Sequence, residues 1–280
     1  MFYAQREQER RQQHINRICD LIGLRNSSLE ALNPAHLDHL IVNDAHHILY
    51  CNVPKVASTN WKRVLMVLTA GSARRDPLRI AGNETHAPNL FVTLSQLPKE
   101  EILPRLRSYT KLMFVRNPYE RLLSAYRNKL EHTYTSYFQM RFGRKIIQQY
   151  RKNASAESLA RGHDVTFEEF LQYVADLDTS DNFMAWNEHW RPVSSLCHPC
   201  HIDYDVVGKY ESLQEDANYA LWLAGVSDLV VFPQRRTTYA APPSSSLLAS
   251  YFHNISAPLI SRLGALYEPD LLVFEYQAPS

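Results

Sequence analysis

The sequence predicts an α/β fold, a three-layer sandwich of helices around a mainly parallel sheet, and two strand–loop–helix units carry this prediction. The first has an apolar run from His47 to Val53, closed by a proline and followed from Thr59 by helical spacing of apolar residues. The second has an apolar run over 111–117, closed by a proline and followed by a helix over about 119–130. The order strand, helix, strand, helix is typical of parallel sheets.

The loop between the first strand and its helix has the composition of an anion site. The open N–H groups and the positive dipole end of a helix start attract phosphate or sulfate. Lys55 adds an ammonium group, and Ser58, Thr59 and Asn60 add hydrogen-bonding side chains. The loop contains no glycine, and the Walker pattern G-x-x-x-x-G-K-[ST] is absent. The alternative is that Thr59 only caps a helix and Lys55 is solvated.

The second turn repeats this arrangement with arginine. Arg116 stands at the carboxyl end of the predicted strand, Arg121 lies in the first turns of the helix, and Ser124 follows on the same face. Open α/β sheets bind ligands at the carboxyl ends of their strands. We therefore expect the two turns to hold the two ends of a doubly phosphorylated nucleotide.

Several motifs in order resemble one known family. PKVASTNWK resembles the 5′-phosphosulfate loop of the Golgi carbohydrate sulfotransferases, and VRNPYERLLSAYRNK resembles their 3′-phosphate motif. The similarity runs from about Ile48 to the carboxyl end through NEHW, LCHPCHIDYD and VGKYESL. It most closely matches the branch with the chondroitin and dermatan 4-O-sulfotransferases and the HNK-1 enzyme. Ser58 stands where chondroitin relatives have Cys, and Asn117 stands where they have an acidic residue. These two differences make the subfamily assignment less specific but leave the residues expected to contact the donor in place.

The resemblance implies the sulfotransferase fold, with a P-loop-like site for PAPS (3′-phosphoadenylyl sulfate) as the sulfate donor. It implies transfer of a sulfuryl group to a carbohydrate hydroxyl, and we expect O-4 of N-acetylgalactosamine in chondroitin or dermatan. Terminal N-acetylgalactosamine or HNK-1-type glucuronate on glycoproteins is the alternative acceptor. No metal is needed. The implied donor contacts are Lys55, Val56, Ala57, Ser58, Thr59, Asn60, Arg116, Arg121 and Ser124.

His86 is the first candidate for the base that takes the proton of the acceptor hydroxyl. It lies in NETHAP, in the segment 74–97 that connects the two anion turns, and imidazole titrates close enough to neutral pH to serve. The resemblance implies a histidine in this segment; without it, a surface or capping role is the plainer interpretation. Lys55 is the second catalytic candidate, because it can stabilise charge on the transferring group. Glu188 and His189 are the reserves for the base.

The charge distribution predicts an anionic partner. Residues 105–152 hold twelve Lys or Arg against two acids, whereas 157–228 hold three against fourteen, which favours a basic face for a polyanion. A noncatalytic glycosaminoglycan-binding protein would explain this charge but not Lys55 and Arg116 at two strand ends. A small-molecule kinase would need a magnesium-binding acid that the motifs lack. No nucleic-acid motif accompanies the charge.

The N-terminal region is predicted as a luminal stem or extension over 1–40, before a catalytic domain over 41–280. Residues 1–25 are rich in Gln, Arg and Glu, which predicts a polar helix or a loose stem. No run approaches the roughly 18 apolar residues that span a bilayer. The resemblance implies a type II Golgi membrane protein with a luminal catalytic domain, so we expect an anchor outside this chain or a short isoform.

Cysteines and sequons also point to an oxidising lumen. Four cysteines allow two disulfides by any of three pairings. The CHPCH run also matches haem c attachment or half a zinc site, although no second CxxC follows. The cysteines are Cys19, Cys51, Cys197 and Cys200, and the sequons begin at Asn26, Asn83, Asn153 and Asn254.

The rest of the chain predicts further helices and strands around these units. We expect a basic helix over 143–160, a capping-box helix from Thr166 to Val174, a strand over 204–210, a helix over 214–223, and two short helices before a last strand over 271–276. Arg235 and Arg236 are weak candidates for a loop that closes over the nucleotide.

Overall fold

A computed structural model describes residues 2–24, 29, 32–69, 76–132, 135–177, 186–234 and 244–279. Two compact units divide the chain: unit 1 comprises Met1–Arg116 and Val193–Thr238, and unit 2 comprises Asn117–Pro192 and Tyr239–Ser280. The elements in chain order are α1 (Phe2–Leu21), β1 (Leu40–Asn43), β2 (Ile48–Cys51), α2 (Ser58–Thr69), α3 (Lys99–Ser108), β3 (Thr110–Val115), α4 (Pro118–Tyr126), α5 (Arg144–Tyr150), α6 (Ala156–Arg161), α7 (Phe167–Ala175), α8 (Val193–Cys197), β4 (Val206–Lys209), α9 (Leu213–Leu223), α10 (Ser244–Phe252), α11 (Ala257–Leu266) and α12 (Glu268–Val273).

Unit 1 contains the sheet, in the order β1-β2-β3-β4. Strands β2, β3 and β4 run parallel, with Tyr50 beside Leu112 and Leu112 beside Val206. This confirms the predicted α/β class with a mainly parallel sheet. Strand β1, which the sequence analysis did not place, pairs antiparallel with β2 across a short turn. The parallel order brings the carboxyl ends of β2 and β3 to the same edge.

The face of the sheet under α2 is packed by aromatic rings. The ring of Trp61 lies 5.4 Å from that of Tyr50, 4.8 Å from Phe114 and 5.0 Å from Phe232, between centroids, and these rings are buried. Gly208 of β4 makes room for them, because a Cβ there would lie 2.1 Å from the Phe114 ring. Aromatic pairs of this kind add about 0.5–1.5 kcal/mol each beyond their buried area. This packing fixes the direction in which α2 leaves β2.

Helix α1 covers the open edge of β4. The N–H of Val207 donates to Gln8 Oε1 at 2.9 Å, and its carbonyl accepts from Arg11 Nη1 at 2.8 Å. Asp216 of α9 accepts from both side chains, at 3.0 and 2.8 Å, and all three are buried. These side chains replace the hydrogen bonds of a missing strand. Of the two alternatives predicted for residues 1–25, a polar helix or a loose stem, the structure shows the helix. The division into a stem over 1–40 and a catalytic domain over 41–280 stays a prediction.

Two disulfides cross-link unit 1. Cys19 of α1 pairs with Cys200, and Cys51 of β2 pairs with Cys197 of α8. This selects one of the three pairings and excludes haem or zinc ligation at CHPCH. The bridged residues are 181 and 146 positions apart. In the chain-entropy account, a disulfide that closes a loop of this length stabilises the fold by about 5 kcal/mol.

Unit 2 is a helical unit around one apolar core. Its capping box is confirmed: Thr166 Oγ1 accepts from the N–H of Glu169 at 3.2 Å, and Glu169 accepts from the N–H of Thr166 at 2.9 Å. Arg151 pairs bidentately with Glu169, with both contacts at 2.7 Å. Large buried members of the core are Tyr119, Phe170, Trp190, Leu263 and Tyr267.

Two predictions about elements are corrected. The last strand predicted over 271–276 is wrong: α12 occupies Glu268–Val273, because Pro269 and two acids in the first turn favour a helix start. The basic helix over 143–160 is two helices, α5 and α6, with a turn between them. The strand over 204–210 and the helix over 214–223 are confirmed as β4 and α9. Arg235, Arg236 and Asn26 lie outside the described residues.

The basic stretch is less exposed than composition predicts. Lys111, Arg116 and Arg121 are buried, and Arg105 and Arg151 form ion pairs at 2.9 and 2.7 Å. Composition counted all five cations as free surface charge, whereas three of them are buried and the other two form ion pairs. In the part of the chain that the structure describes, no helix has the length and apolarity needed to cross a membrane.

Candidate functional site

The loop from β2 to α2 has an unusual backbone. Lys55 and Ala57 have positive φ angles of 72° and 57°, in the left-handed region that costs a residue with a Cβ roughly 1–2 kcal/mol. Glycine normally occupies such positions, yet this loop has none. Strained backbone of this kind clusters at functional sites. The strain therefore marks this loop, independently of its sequence motif, as a candidate site.

The loop delivers open N–H groups at the start of α2. The first backbone hydrogen bonds here run from Asn60 and Trp61 to the carbonyl of Ala57, at 2.9 and 3.2 Å. The N–H groups of Ser58 and Thr59 precede them, at the positive end of the helix dipole. The Lys55 side chain is half-buried. This is the geometry of an anion site.

Arg116 joins the second strand end to this loop. Its side chain is 4% exposed, and Nη1 lies 3.5 Å from the carbonyl oxygen of Lys55, a long contact. On its other side the guanidinium carbon lies 4.1 Å from the ring centroid of Tyr210, just after β4. A ring face and a carbonyl both attract a guanidinium and so help to orient it. Unit 1 thus brings the Arg116 guanidinium to the backbone of Lys55, while the joint role of the two side chains in donor binding stays a prediction.

Arg121 and Ser124 belong to α4 in unit 2. Arg121 is 1% exposed, and its two terminal nitrogens donate to the carbonyls of Glu188 and Arg191, both at 2.6 Å. Burial lowers the pKa of Arg121, although Tyr267 among others opposes the shift. The structure therefore gives Arg121 a role in holding a turn. Ser124 is half-buried, and phosphate contacts of either residue stay predictions.

His86 lies on an exposed turn that packs against α2. It ends a short 3₁₀ helix, Glu84–His86. Arg63 of α2 anchors the preceding chain by donating from Nε to the carbonyl of Ile80 at 2.9 Å, and the buried Thr85 hydroxyl donates to Gly82 at 2.7 Å. The candidate base is thus carried by the same unit as Lys55. Its catalytic role stays a prediction.

Sequence reasoning missed two residues. Tyr210 was quoted within VGKYESL without a role, and the packing of its ring on Arg116 has no local sequence signal. Asn187 was likewise quoted within NEHW, and its Oδ1 contacts both the backbone N–H and ring Nδ1 of His189, at 3.1 and 2.8 Å. Among the described residues, no group of three His, Cys, Asp or Glu is arranged to hold a metal ion.

An α/β unit with an anion loop after one strand and an arginine after the next defines a protein that handles phosphate or sulfate esters. The sequence profile of the sulfotransferase family matches residues 38–277. The chain belongs to this family and is an enzyme that transfers a sulfuryl group.

Curated relatives agree with this assignment. Carbohydrate sulfotransferase 11 of Mus musculus is 46% identical, over 96% of this chain and 76% of the relative. Carbohydrate sulfotransferase 14 of Danio rerio is 42% identical, over 98% and 72%. Carbohydrate sulfotransferase 8 of Homo sapiens is 41% identical, over 91% and 59%. No solved structure matches the chain significantly.

Proposed function

We propose that this sulfotransferase takes the sulfuryl group from PAPS and delivers it to O-4 of N-acetylgalactosamine in chondroitin or dermatan. The assignment of PAPS as the donor rests on the contact between Arg116 and the carbonyl oxygen of Lys55. This contact places a guanidinium next to the loop at the start of α2, where the backbone is strained. The names of the relatives support a carbohydrate acceptor, since several are carbohydrate sulfotransferases.

The residues of the loop fit the donor chemically. PAPS supplies a sulfuryl group on a 5′-phosphate and carries a separate 3′-phosphate. Lys55 and the N–H groups of Ser58 and Thr59 stabilise negative charge on the transferring group and the leaving phosphate oxygen, an effect typically worth 10²–10³ in rate per donor. The N–H of Asn60 already donates to Ala57, so Asn60 is proposed to contact the donor through its side chain. Val56 and Ala57 contribute backbone to the same loop. Arg116 holds the 3′-phosphate.

His86 takes the proton of the acceptor hydroxyl as the oxygen attacks sulfur in line with the leaving phosphate oxygen. Its exposed position lets an acceptor chain approach from solvent. Positioning of donor and hydroxyl makes the attack effectively intramolecular, which accounts for several kcal/mol of the barrier. General base catalysis adds typically 10²–10⁴ in rate.

The enzyme acts in the Golgi lumen as part of a type II membrane protein. The two disulfides support an oxidising compartment. Asn83, Asn153 and Asn254 are exposed sequon residues that a luminal protein presents for glycosylation.

Transfer of labelled sulfate from PAPS to desulfated chondroitin, dermatan, heparosan and N-glycans, followed by disaccharide analysis, tests this proposal. We expect label at the 4-position of N-acetylgalactosamine, with the chondroitin-to-dermatan ratio defining the branch. Label on terminal N-acetylgalactosamine or glucuronate would favour the alternative acceptors. If the chain binds heparin but neither adenosine 3′,5′-bisphosphate nor PAPS, the proposed donor site is refuted and a noncatalytic glycosaminoglycan-binding role takes its place.

A further inference from the structure

Two exposed cations of unit 2 lie against aromatic rings. The guanidinium carbon of Arg141 lies 5.7 Å from the ring centroid of Tyr137 and 5.4 Å from that of Phe142, and the guanidinium also donates to the Tyr137 hydroxyl. Lys145, about one turn further along, has its Nζ 5.7 Å from the ring centroid of Tyr173. All five residues belong to unit 2, and together they are called the ring-and-cation surface.

The rings beneath these cations are fixed by the core of unit 2. Phe142 stands edge-on to the buried ring of Trp190, with centroids 5.0 Å apart, and Tyr173 does the same at 6.4 Å. A ring that is packed into a core on one side cannot turn away from a cation on the other side. The two cations are therefore held in place without an acidic partner.

The backbone under Arg141 is held as well. Arg141 lies in a π-helical turn, Gln139–Gly143, and a Cβ on Gly143 would lie 2.1 Å from the carbonyl oxygen of Gly162. Only a glycine allows this close contact between the two chain segments. Turns of π-helical geometry are frequent at functional sites, so the local geometry and the charge mark the same segment.

The charge of this surface is not balanced within the protein. In the part of the chain that the structure describes, neither Arg141 nor Lys145 forms an ion pair with a carboxylate. By contrast, Arg151, Arg161 and Arg262 of the same unit each pair with an aspartate or a glutamate. A ring face attracts a cation through its quadrupole but carries no net charge. The surface therefore stays positive and is open to an external anion.

The chemistry of the surface matches an anionic polysaccharide. Guanidinium and ammonium groups bind carboxylate oxygens through charge-assisted hydrogen bonds. Tyr137 is 53% exposed and Met140 is 46% exposed, so the same short segment also offers apolar area to solvent. The C–H face of a sugar ring can bury such area while its hydroxyl groups stay in water. Positive charge next to exposed aromatic area favours a chain of acidic sugars.

We propose that the ring-and-cation surface anchors a glycosaminoglycan chain, with Arg141 and Lys145 pairing with its carboxylates and Tyr137 packing on a sugar ring. The choice of a glycosaminoglycan among polyanions rests on the proposed function, in which such a polymer is the acceptor. The surface binds and takes no part in the transfer step. Because the polymer repeats its acceptor sugar, anchoring keeps further copies of that sugar near the enzyme.

Binding of chemically desulfated chondroitin to the whole chain, measured by isothermal titration calorimetry with adenosine 3′,5′-bisphosphate present, tests the proposal. We expect Arg141→Gln/Lys145→Gln to bind the polymer about 5- to 30-fold more weakly, with a shallower dependence of affinity on salt. Its affinity for the bisphosphate should equal that of the wild type. Lys152→Gln/Arg161→Gln removes two other exposed cations of unit 2 and, as the matched control, should bind the polymer within about twofold of the wild type.

Further variants separate charge, ring and folding. Arg141→Lys/Lys145→Arg keeps both charges and should recover most of the affinity. Tyr137→Ser removes the exposed ring and should weaken binding about two- to tenfold. If the double variant fails to fold, Lys145→Gln alone repeats the test at one exposed side chain, with an expected loss of about two- to fivefold.

Three results would overturn the inference. One is a folded double variant that binds chondroitin as tightly as the control, and another is a wild type that does not bind the polymer. The third is a wild type that prefers a short RNA or vesicles of anionic lipid and loses this binding in the double variant, which would assign the surface to another partner. The proposed function fails separately, by the absence of sulfate transfer in the wild type, because the calorimetric measurement needs no transfer.

Discussion

The packing of Tyr210 on Arg116 leads to a measurable prediction about the donor site. Replacing Tyr210 with Leu removes a ring whose centroid lies 4.1 Å from the guanidinium carbon. Arg116 is nearly buried, at 4% exposure, and cation–π contacts reach about 2 kcal/mol when they are desolvated. If the ring holds the guanidinium toward the Lys55 loop, its loss lets Arg116 turn away before the nucleotide arrives.

The expected magnitude follows from that energy. Since about 1.4 kcal/mol corresponds to a factor of ten, loss of roughly 1–2 kcal/mol of orientation weakens binding of adenosine 3′,5′-bisphosphate about 5- to 30-fold. Isothermal titration calorimetry measures this directly. Tyr210→Phe keeps the ring and should bind within about twofold of the wild type, since 0.4 kcal/mol or less is then lost.

Two variants make the result interpretable. Tyr3→Leu is the matched control, because Tyr3 is 79% exposed in the same unit. Tyr210→Met fills similar space without a ring and repeats the test if Tyr210→Leu fails to fold. Wild-type affinity in folded Tyr210→Leu would refute the reasoning. An equal loss in Tyr210→Phe would assign the effect to the hydroxyl instead of the ring.

Three further predictions concern the loop and unit 2. Lys55→Ala should lower the rate of sulfate transfer at least about 10²-fold without changing the thermal unfolding temperature. The control Lys99→Ala, at an exposed lysine of unit 1, should keep full activity. Transfer by Lys55→Ala at the wild-type rate would exclude a role of Lys55 at the donor. Ala57→Gly should raise the free energy of unfolding by about 0.5–1 kcal/mol, because glycine adopts the 57° φ angle without strain; a decrease in urea titration would show that the angle carries no cost. Burial raises the pKa of Glu169, but hydrogen bonds, chiefly those from Arg151, hold the pKa below its usual value of 4.5. The ionised Glu169 therefore stabilises the fold above pH 4.5, and this contribution to the free energy of unfolding is lost as the pH falls through the lowered pKa. Arg151→Met should flatten that acid-side slope of unfolding free energy, and an unchanged slope would contradict the assignment.

Much of the fold could be predicted from the sequence because the signals for strands and helix starts are local. The strands β2 and β3 follow from apolar runs that prolines close, and the start of α7 follows from the capping box at Thr166. The strand predicted over 271–276 was wrong because a short apolar segment fits a strand or a buried helix equally well. Strand β1 was missed for the related reason that four residues give little periodicity.

The sequence by itself determined the α/β class, the family and the two strand–loop–helix units, because short motifs and periodicities depend on neighbours within a few residues. Only the tertiary structure decided the disulfide pairing, the covering of β4 by α1, the left-handed backbone at Lys55 and Ala57, and the turn of Arg121 toward the carbonyls of unit 2. Most of these depend on residues tens to nearly two hundred positions apart. A contact over such distances is selected by packing and by the satisfaction of buried polar groups, and no local pattern records it.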